Sequence, residues 1–229
     1  MEKIVSIIVP TLNEEKFIKK TLQALDKQSV ERKKYEIIVS DSSSTDKTVK
    51  IAKALANKVV VCKRHSAGYG RNAGAKKACG KYLAFVDADT IVSREYVQGV
   101  IEALNKGVAA TGPISSLDGE HKIFMKWWSV QDRLSIYVKK PIFPGFNFAA
   151  RKKEFFSVKG MSEKDIVCED IEVAWKLQKK GKIIWENKMK VKTSTRRISE
   201  NGVWSNVKNA WTFALQGKTE SWKEHRKDF

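Results

Sequence analysis

The segment Tyr82-Leu83-Ala84-Phe85-Val86-Asp87-Ala88-Asp89-Thr90 constrains the fold more than any other stretch, because an apolar run ends in two carboxylates one residue apart. Five consecutive apolar residues predict a strand covered on both faces. In open α/β sheets ligands sit just beyond the carboxyl ends of such strands, which puts Asp87 and Asp89 at a ligand crevice. Hard cations such as Mg2+ or Mn2+ take oxygen ligands, and Mg2+ is usually held by one or two carboxylates together with substrate phosphates. For the tripeptide taken alone, a solvated Asp-x-Asp turn is the alternative.

The preceding residues alternate strand and helix. Residues 4–9 predict a strand closed by Pro10, and Asn13 is placed to cap a helix on which Phe17, Ile18, Thr21, Leu22 and Leu25 recur at helical spacing. Residues 35–40 predict a second strand ending at Asp41, with residues 42–46 as turn and N-cap of a helix reaching about Ala56. A third strand over 58–62, a Gly-bearing loop over 65–72 and an Ala-rich helix over 73–79 lead to the strand at 82–86. Ser93 opens a further helix, and residues 108–111 return as a strand. The expected fold class is α/β, a Rossmann-like, mostly parallel sheet with helices on both faces. Strands one, two and four then deliver Pro10-Thr11-Leu12-Asn13-Glu14, Asp41 and the Asp87/Asp89 pair to one edge. Their mutual repulsion is costly unless a metal or a hydrogen-bonding ligand sits among them, and a nucleoside diphosphate with Mg2+ or Mn2+ meets both needs.

Beyond residue 112 the alternation gives way to a basic aromatic segment, Lys122-Ile123-Phe124-Met125-Lys126-Trp127-Trp128, running on to Tyr137, Lys139 and Lys140. Ile123, Phe124, Trp127, Trp128, Leu134 and Val138 predict one apolar stripe on a helix, either interfacial or turned to the core. Residues 145–150 resemble a strand, 169–180 a helix stopped by Gly181, and 203–216 a last helix. Residues 1–112 are expected to form a nucleotide-binding half, 113–186 an acceptor-binding half of the same domain, and 187–229 a basic helical extension. Of the net charge of +18, residues 121–153 and 187–229 together carry +13. Such a concentration suits an anionic membrane surface or nucleic acid.

With 42% apolar and 31% charged residues the chain is globular in composition, and no apolar run nears the ~18 residues of a membrane span. The N-terminus reads as the first core strand, not a signal peptide. Cys62, Cys79 and Cys168 match neither a zinc site nor a disulfide framework, which suits a cytoplasmic setting, and Cys168 is expected to be a packing residue.

Four strings in order, IIVPTLNEE, IIVSDSSSTDKT, GYGRNAGAKKACGKYLAFVDADT and CEDIEVAWKLQKKGK, resemble the motifs of family 2 glycosyltransferases over residues 3–185. The resemblance implies a GT-A fold and transfer from a nucleoside-diphosphate sugar, nearest in character to polyprenyl-phosphate sugar synthases. By position, Pro10, Thr11, Leu12, Glu14, Asp41 and Ser43 resemble the nucleoside-holding residues, with Asp41 at the base. Asp87, Ala88 and Asp89 resemble the DxD motif, whose last carboxylate binds the metal while the first lies near the ribose or a metal-bound water. Arg71, on its Gly loop, is similar to residues that reach the donor; a surface arginine packing on Tyr69 is the alternative. Glu169-Asp170 resembles the ED motif, which makes Asp170 the general base of an inverting transfer and Glu169 an acceptor contact. Arg196 and Arg197 are candidates for diphosphate recognition. The chain lacks a Gln-x-x-Arg-Trp signature after the ED motif, which points to addition of one sugar rather than polymer synthesis. It also lacks a following His as third metal ligand.

The concentration of charge and tryptophan after residue 120, where family members build their acceptor side, suggests a lipid-phosphate or other membrane-surface acceptor and a peripheral enzyme on the inner face of the cell membrane, while the resemblance favours GDP-mannose over a UDP-sugar. A nucleotidyltransferase is a rival, but no Gly-rich basic loop follows the first strand. A nucleic-acid-binding protein is the other, and it leaves the acidic strand ends unexplained.

Overall fold

Apolar runs build two sheets around β1 (Val5–Thr11), β2 (Tyr35–Asp41), β3 (Lys58–Val61), β4 (Tyr82–Phe85), β5 (Thr90–Val92), β6 (Ala109–Thr111), β7 (Ile114–Ser116), β8 (Phe148–Arg151), β9 (Ile183–Trp185) and β10 (Val191–Thr193). The helices are α1 (Ile18–Asp26), α2 (Thr48–Leu55), α3 (Ala67–Lys76), α4 (Tyr96–Lys106), α5 (Lys122–Tyr137), α6 (Lys152–Ser157), α7 (Glu169–Gln178) and α8 (Arg196–Asn201). This computed structural model describes residues 3–63, 66–163 and 169–201, the last stretch without the side chains of Arg197, Glu200 and Asn201. The helix expected over 203–216 and Cys168 lie outside the described residues.

The main sheet runs β3-β2-β1-β4-β8-β6-β9 and is parallel except for β8, which is antiparallel to both neighbours. A small sheet, β5-β10-β7, stands beside it. Consecutive residues of β1 feed opposite cores: Val5, Ile7 and Val9 pack with Ile18, Leu22 and Leu25 of α1, while Ile8 packs with Ile38, Leu83, Phe85 and Phe148. Burial on both faces explains why the strands read as unbroken apolar runs. Each such side chain stabilises the fold by about 1.5–3 kcal/mol. Register then fixes the site edge: Thr11 pairs with Asp41 and Ile8 with Phe85, so three carboxyl ends finish side by side.

Several local expectations are corrected. Asn13 does not cap α1, which starts at Ile18 with Phe17 as N-cap. Instead Asn13 sits at φ 53° and staples two loops, donating its N–H to Ser44 Oγ at 2.8 Å and accepting from the Thr45 N–H at 2.9 Å. The expected 65–72 loop is helical from Ala67 onward. Its glycines seat α3 against its neighbours: a Cβ on Gly74 would lie 2.5 Å from Ile8 Cγ2, and one on Gly68 would lie 2.2 Å from the Ser162 carbonyl oxygen. Close approach, not a turn, is what these glycines allow. The expected 145–150 strand is β8, and begins only at Phe148.

The α5 stripe divides. Phe124 and Trp128 pack on the core, whereas Ile123, Trp127, Leu134 and Val138 point outward. No helix among the described residues is long and apolar enough to cross a membrane.

Candidate active site

The loops after β1 and β2 form the first wall. The buried Asp41 carboxylate accepts from the Ser44 N–H at 2.8 Å and from Ser44 Oγ at 2.5 Å, which folds the 42–48 loop back on the strand end. Ser43, at φ 63°, donates its hydroxyl to the Cys62 carbonyl at 2.8 Å. The Glu14 N–H donates to Thr48 Oγ1 at 2.8 Å, locking the two loops together. Asp41 is therefore at the predicted edge, but its two carboxyl oxygens hold its own loop. Thr11 Oγ1 and Ser40 Oγ are both buried without a hydrogen-bond partner, but on opposite faces of the sheet: Thr11 shares the face of Asp41, while Ser40 lies under α3 at Gly70 and Gly74.

The segment after β4 forms the floor. The Ala88 carbonyl accepts from Thr21 Oγ1 at 2.7 Å, and Thr90 shares a 2.8 Å hydroxyl bond with Thr193 of β10. These tie the Asp87-Ala88-Asp89 turn to α1 on one side and to the small sheet on the other. Asp87 and Asp89 keep side-chain exposures of 21% and 10%. They present hard oxygen donors suited to Mg2+ or Mn2+. Among the described residues no group of three His, Cys, Asp or Glu forms a fuller metal cage. Two protein ligands fit a cation that takes its remaining ligands from diphosphate and water.

Two arginines join the floor to the walls. Arg196, in the first turn of α8, pairs with Glu14, lies 3.4 Å from Asp89 Oδ2, and stacks its guanidinium 4.7 Å over the Phe17 ring. One half of the predicted arginine pair is thus at the edge; the Arg197 side chain lies outside the described set. Arg71 is neither on a loop nor at the surface. Only 4% exposed on α3, it donates through Nη2 to Asp87 Oδ1 at 2.8 Å and through Nη1 to Glu169 Oε1 at 3.2 Å. It links the two carboxylate centres.

Glu169 and Asp170 occupy the first turn of α7, where acids also favour the helix dipole. Burial and the neighbouring Asp170 raise the Glu169 carboxyl to about 7, against the opposing pull of Arg71. Burial raises Asp170 as well, while Arg71 and backbone N–H donors hold it down. Asp170 Oδ2 accepts from the Gly145 N–H at 2.8 Å, which orients it. A Cβ on Gly145 would lie 2.7 Å from Arg71 Nη2, so only glycine leaves room for the guanidinium.

Two acidic residues were missed by sequence reasoning. Asp118 accepts from the Thr195 N–H and Thr195 Oγ1, both at 2.8 Å, immediately before Arg196. Burial would raise Asp118, but donors from Ser116 and Thr195 hold it near 2. Asp132, on the inner face of α5, is fully buried, and its carboxyl oxygens lack a well-formed hydrogen bond, with only a weak approach from the Trp128 side chain. Burial, and then Asp170, push it well above the usual carboxylate range. A lone Asp in an apolar helix carries no signal that marks it as buried.

The family model for glycosyl transferase family 2 matches residues 6–158. The chain belongs to glycosyl transferase family 2. TarS of Staphylococcus aureus, a poly(ribitol-phosphate) beta-N-acetylglucosaminyltransferase, is 38% identical over 96 residues, 39% of this chain and 17% of its own length. A Methanococcus voltae relative, named dolichyl N-acetyl-alpha-D-glucosaminyl phosphate 3-beta-D-2,3-diacetamido-2,3-dideoxy-beta-D-glucuronosyltransferase, is 28% identical over 175 residues, 72% of this chain and 54% of its own. The chain therefore spans 17% to 54% of the length of these curated relatives.

Among solved structures, the mannosyltransferase PcManGT from Pyrobaculum calidifontis in complex with GDP-Man and Mn2+ superposes with a TM-score of 0.75 at 19% identity, covering 100% of this chain and 66% of that one. Residues 1–349 of S. aureus TarS in complex with UDP-GlcNAc give 0.64 at 21% identity, covering 80% and 55%. The architecture is the GT-A fold of these neighbours.

Proposed function

We propose that the chain is an inverting transferase that moves one hexose from a nucleoside-diphosphate sugar to a lipid-linked acceptor. One observation carries this: Arg71 bridges Asp87, at the predicted donor edge, to Glu169, beside the predicted base. The first donor carboxylate and the neighbour of the base thus share one buried guanidinium.

Thr11 and the 42–48 loop hold the nucleoside, and Arg196 faces the diphosphate. Asp87 and Asp89 would hold Mg2+ or Mn2+; when bound, the cation stabilises the negative charge of the departing diphosphate. Asp170, oriented by Gly145, takes the proton of the acceptor hydroxyl. The acceptor oxygen bonds to the anomeric carbon while the bond from that carbon to the phosphate oxygen breaks, its electron pair leaving with the diphosphate. Burial lifts Asp170 toward the base strength this step needs. A phosphate acceptor, already anionic, asks less of it.

GDP-mannose is the first donor reading, supported by the fold likeness to the P. calidifontis enzyme bound to GDP-Man. A UDP-sugar is the second, favoured by the 38% identity with TarS in 96 residues. The dolichyl-linked acceptor in the name of the M. voltae relative supports a lipid-linked acceptor here. A thermal-shift panel of GDP, UDP, ADP and CDP with Mn2+ or Mg2+ tests the donor class, since a ligand bound only by the native state raises the melting temperature. No response to any nucleotide would overturn the transferase reading.

A further inference from the structure

Nine large apolar side chains stand exposed among the described residues, and six of them lie on α5 or at its C-cap. Ile123, Trp127, Val130, Leu134 and Tyr137 follow spacings of 4, 3, 4 and 3, which places them on one outward line that Val138 extends. Exposures run from 42% at Trp127 to 87% at Ile123. The opposite face buries Met125, Asp132 and Ser135. A helix packed on a core normally turns its apolar face inward and its polar face to water, yet here the outward face is apolar too. Contiguous apolar patches of this kind mark a docking surface.

Charge selects the partner. Lys122, Lys126 and Arg133 are exposed along one edge of the stripe, and Lys139 and Lys140 follow its end. The one acid in the helix, Asp132, is buried. A twofold contact with a second copy would set these cations against each other. An anionic lipid surface instead receives both features: aliphatic and aromatic side chains enter the acyl boundary while Lys and Arg meet the phosphates.

We infer that the outward face of α5 docks the protein on an anionic bilayer. The inward face then bears on the catalytic end of the site. Trp128 meets the Phe146 ring edge-on at 6.1 Å, and the neighbouring Gly145 N–H holds Asp170. A docked α5 places that base next to the lipid surface from which a lipid-linked acceptor would come. The inference deepens the lipid-linked acceptor reading, and it is measured without turnover.

The test is flotation of the full chain with vesicles of phosphatidylcholine alone or mixed with phosphatidylglycerol, at low and high salt, together with tryptophan emission. Wild type is expected to float with the anionic vesicles at low salt and to shift its emission to the blue. The triple variant Ile123→Ser, Trp127→Ser, Leu134→Ser is expected to lose about tenfold or more in partitioning, and Lys126→Glu with Arg133→Glu to lose about as much. Nucleotide thermal shifts should stay as in wild type, which separates loss of docking from loss of fold or donor site. Wild-type flotation by the triple variant would overturn the inference. So would a concentration-dependent dimer in light scattering that the triple variant abolishes, because the face would then be a self-interface.

Discussion

Arg71 and Glu169, 98 residues apart in the chain, meet at 3.2 Å inside the protein, and the same guanidinium holds Asp87 at 2.8 Å. A buried arginine between two carboxylates is costly to break from one side, since both acids are left uncompensated. Arg71→Met should destabilise the fold by roughly 3–5 kcal/mol. Arg71→Lys should recover only part of this, because a point charge cannot span both acids as the planar fork does. Urea unfolding of the three proteins checks the order.

Asp170 and Asp89 should separate in kinetics. Asp170→Asn removes the proton acceptor and should lower kcat about 10²–10⁴-fold with nucleotide affinity kept. Asp89→Asn should chiefly weaken cation-dependent nucleotide binding. Single-turnover rates and titration of nucleoside diphosphate on each variant distinguish the two, and a fully active Asp170→Asn would reassign the base.

The raised acids predict a pH dependence of stability. Glu169 goes from 4.5 to about 7 on folding, so its stabilising contribution is complete below pH 4.5 and is lost as pH rises through about 7. Asp132 shifts in the same direction. Melting temperature should therefore decline across this window, and Glu169→Gln should flatten the decline. Asp132→Asn should flatten it too, since an amide does not ionise in this range. A steeper fall in either variant would contradict the assigned burial.

Asp118 acts on the site through Arg196. Asp118→Ala frees Thr195 from two 2.8 Å bonds and loosens the first turn of α8. Diphosphate affinity should fall severalfold, while kcat at saturating donor stays near wild type. A variant with unchanged affinity would remove Asp118 from this role.

The sheet was legible because burial on both faces leaves unbroken apolar runs, and the acidic strand ends stand out against them. Arg71 was misplaced because glycine encodes both turns and close packing: Gly68 and Gly74 seat a helix here, and sequence does not say which use applies. Asp41 was found at the right edge, yet its bonds to Ser44 depend on a loop geometry that no spacing reveals. Asp132 was invisible as a site neighbour, since only the packing of α5 tells which face of an amphipathic helix holds its one acid. The split α5 stripe has the same cause: periodicity gives a face, and tertiary contacts decide where it points.

Calorimetric titration of GDP and UDP, with and without Mn2+, into wild type and Asp89→Asn tests the central claim most directly. One nucleotide should bind wild type with an affinity that depends on Mn2+, and Asp89→Asn should lose that dependence. If neither nucleotide binds, or if Mn2+ acts equally on both proteins, the edge formed by β1, β2 and β4 is not a donor site.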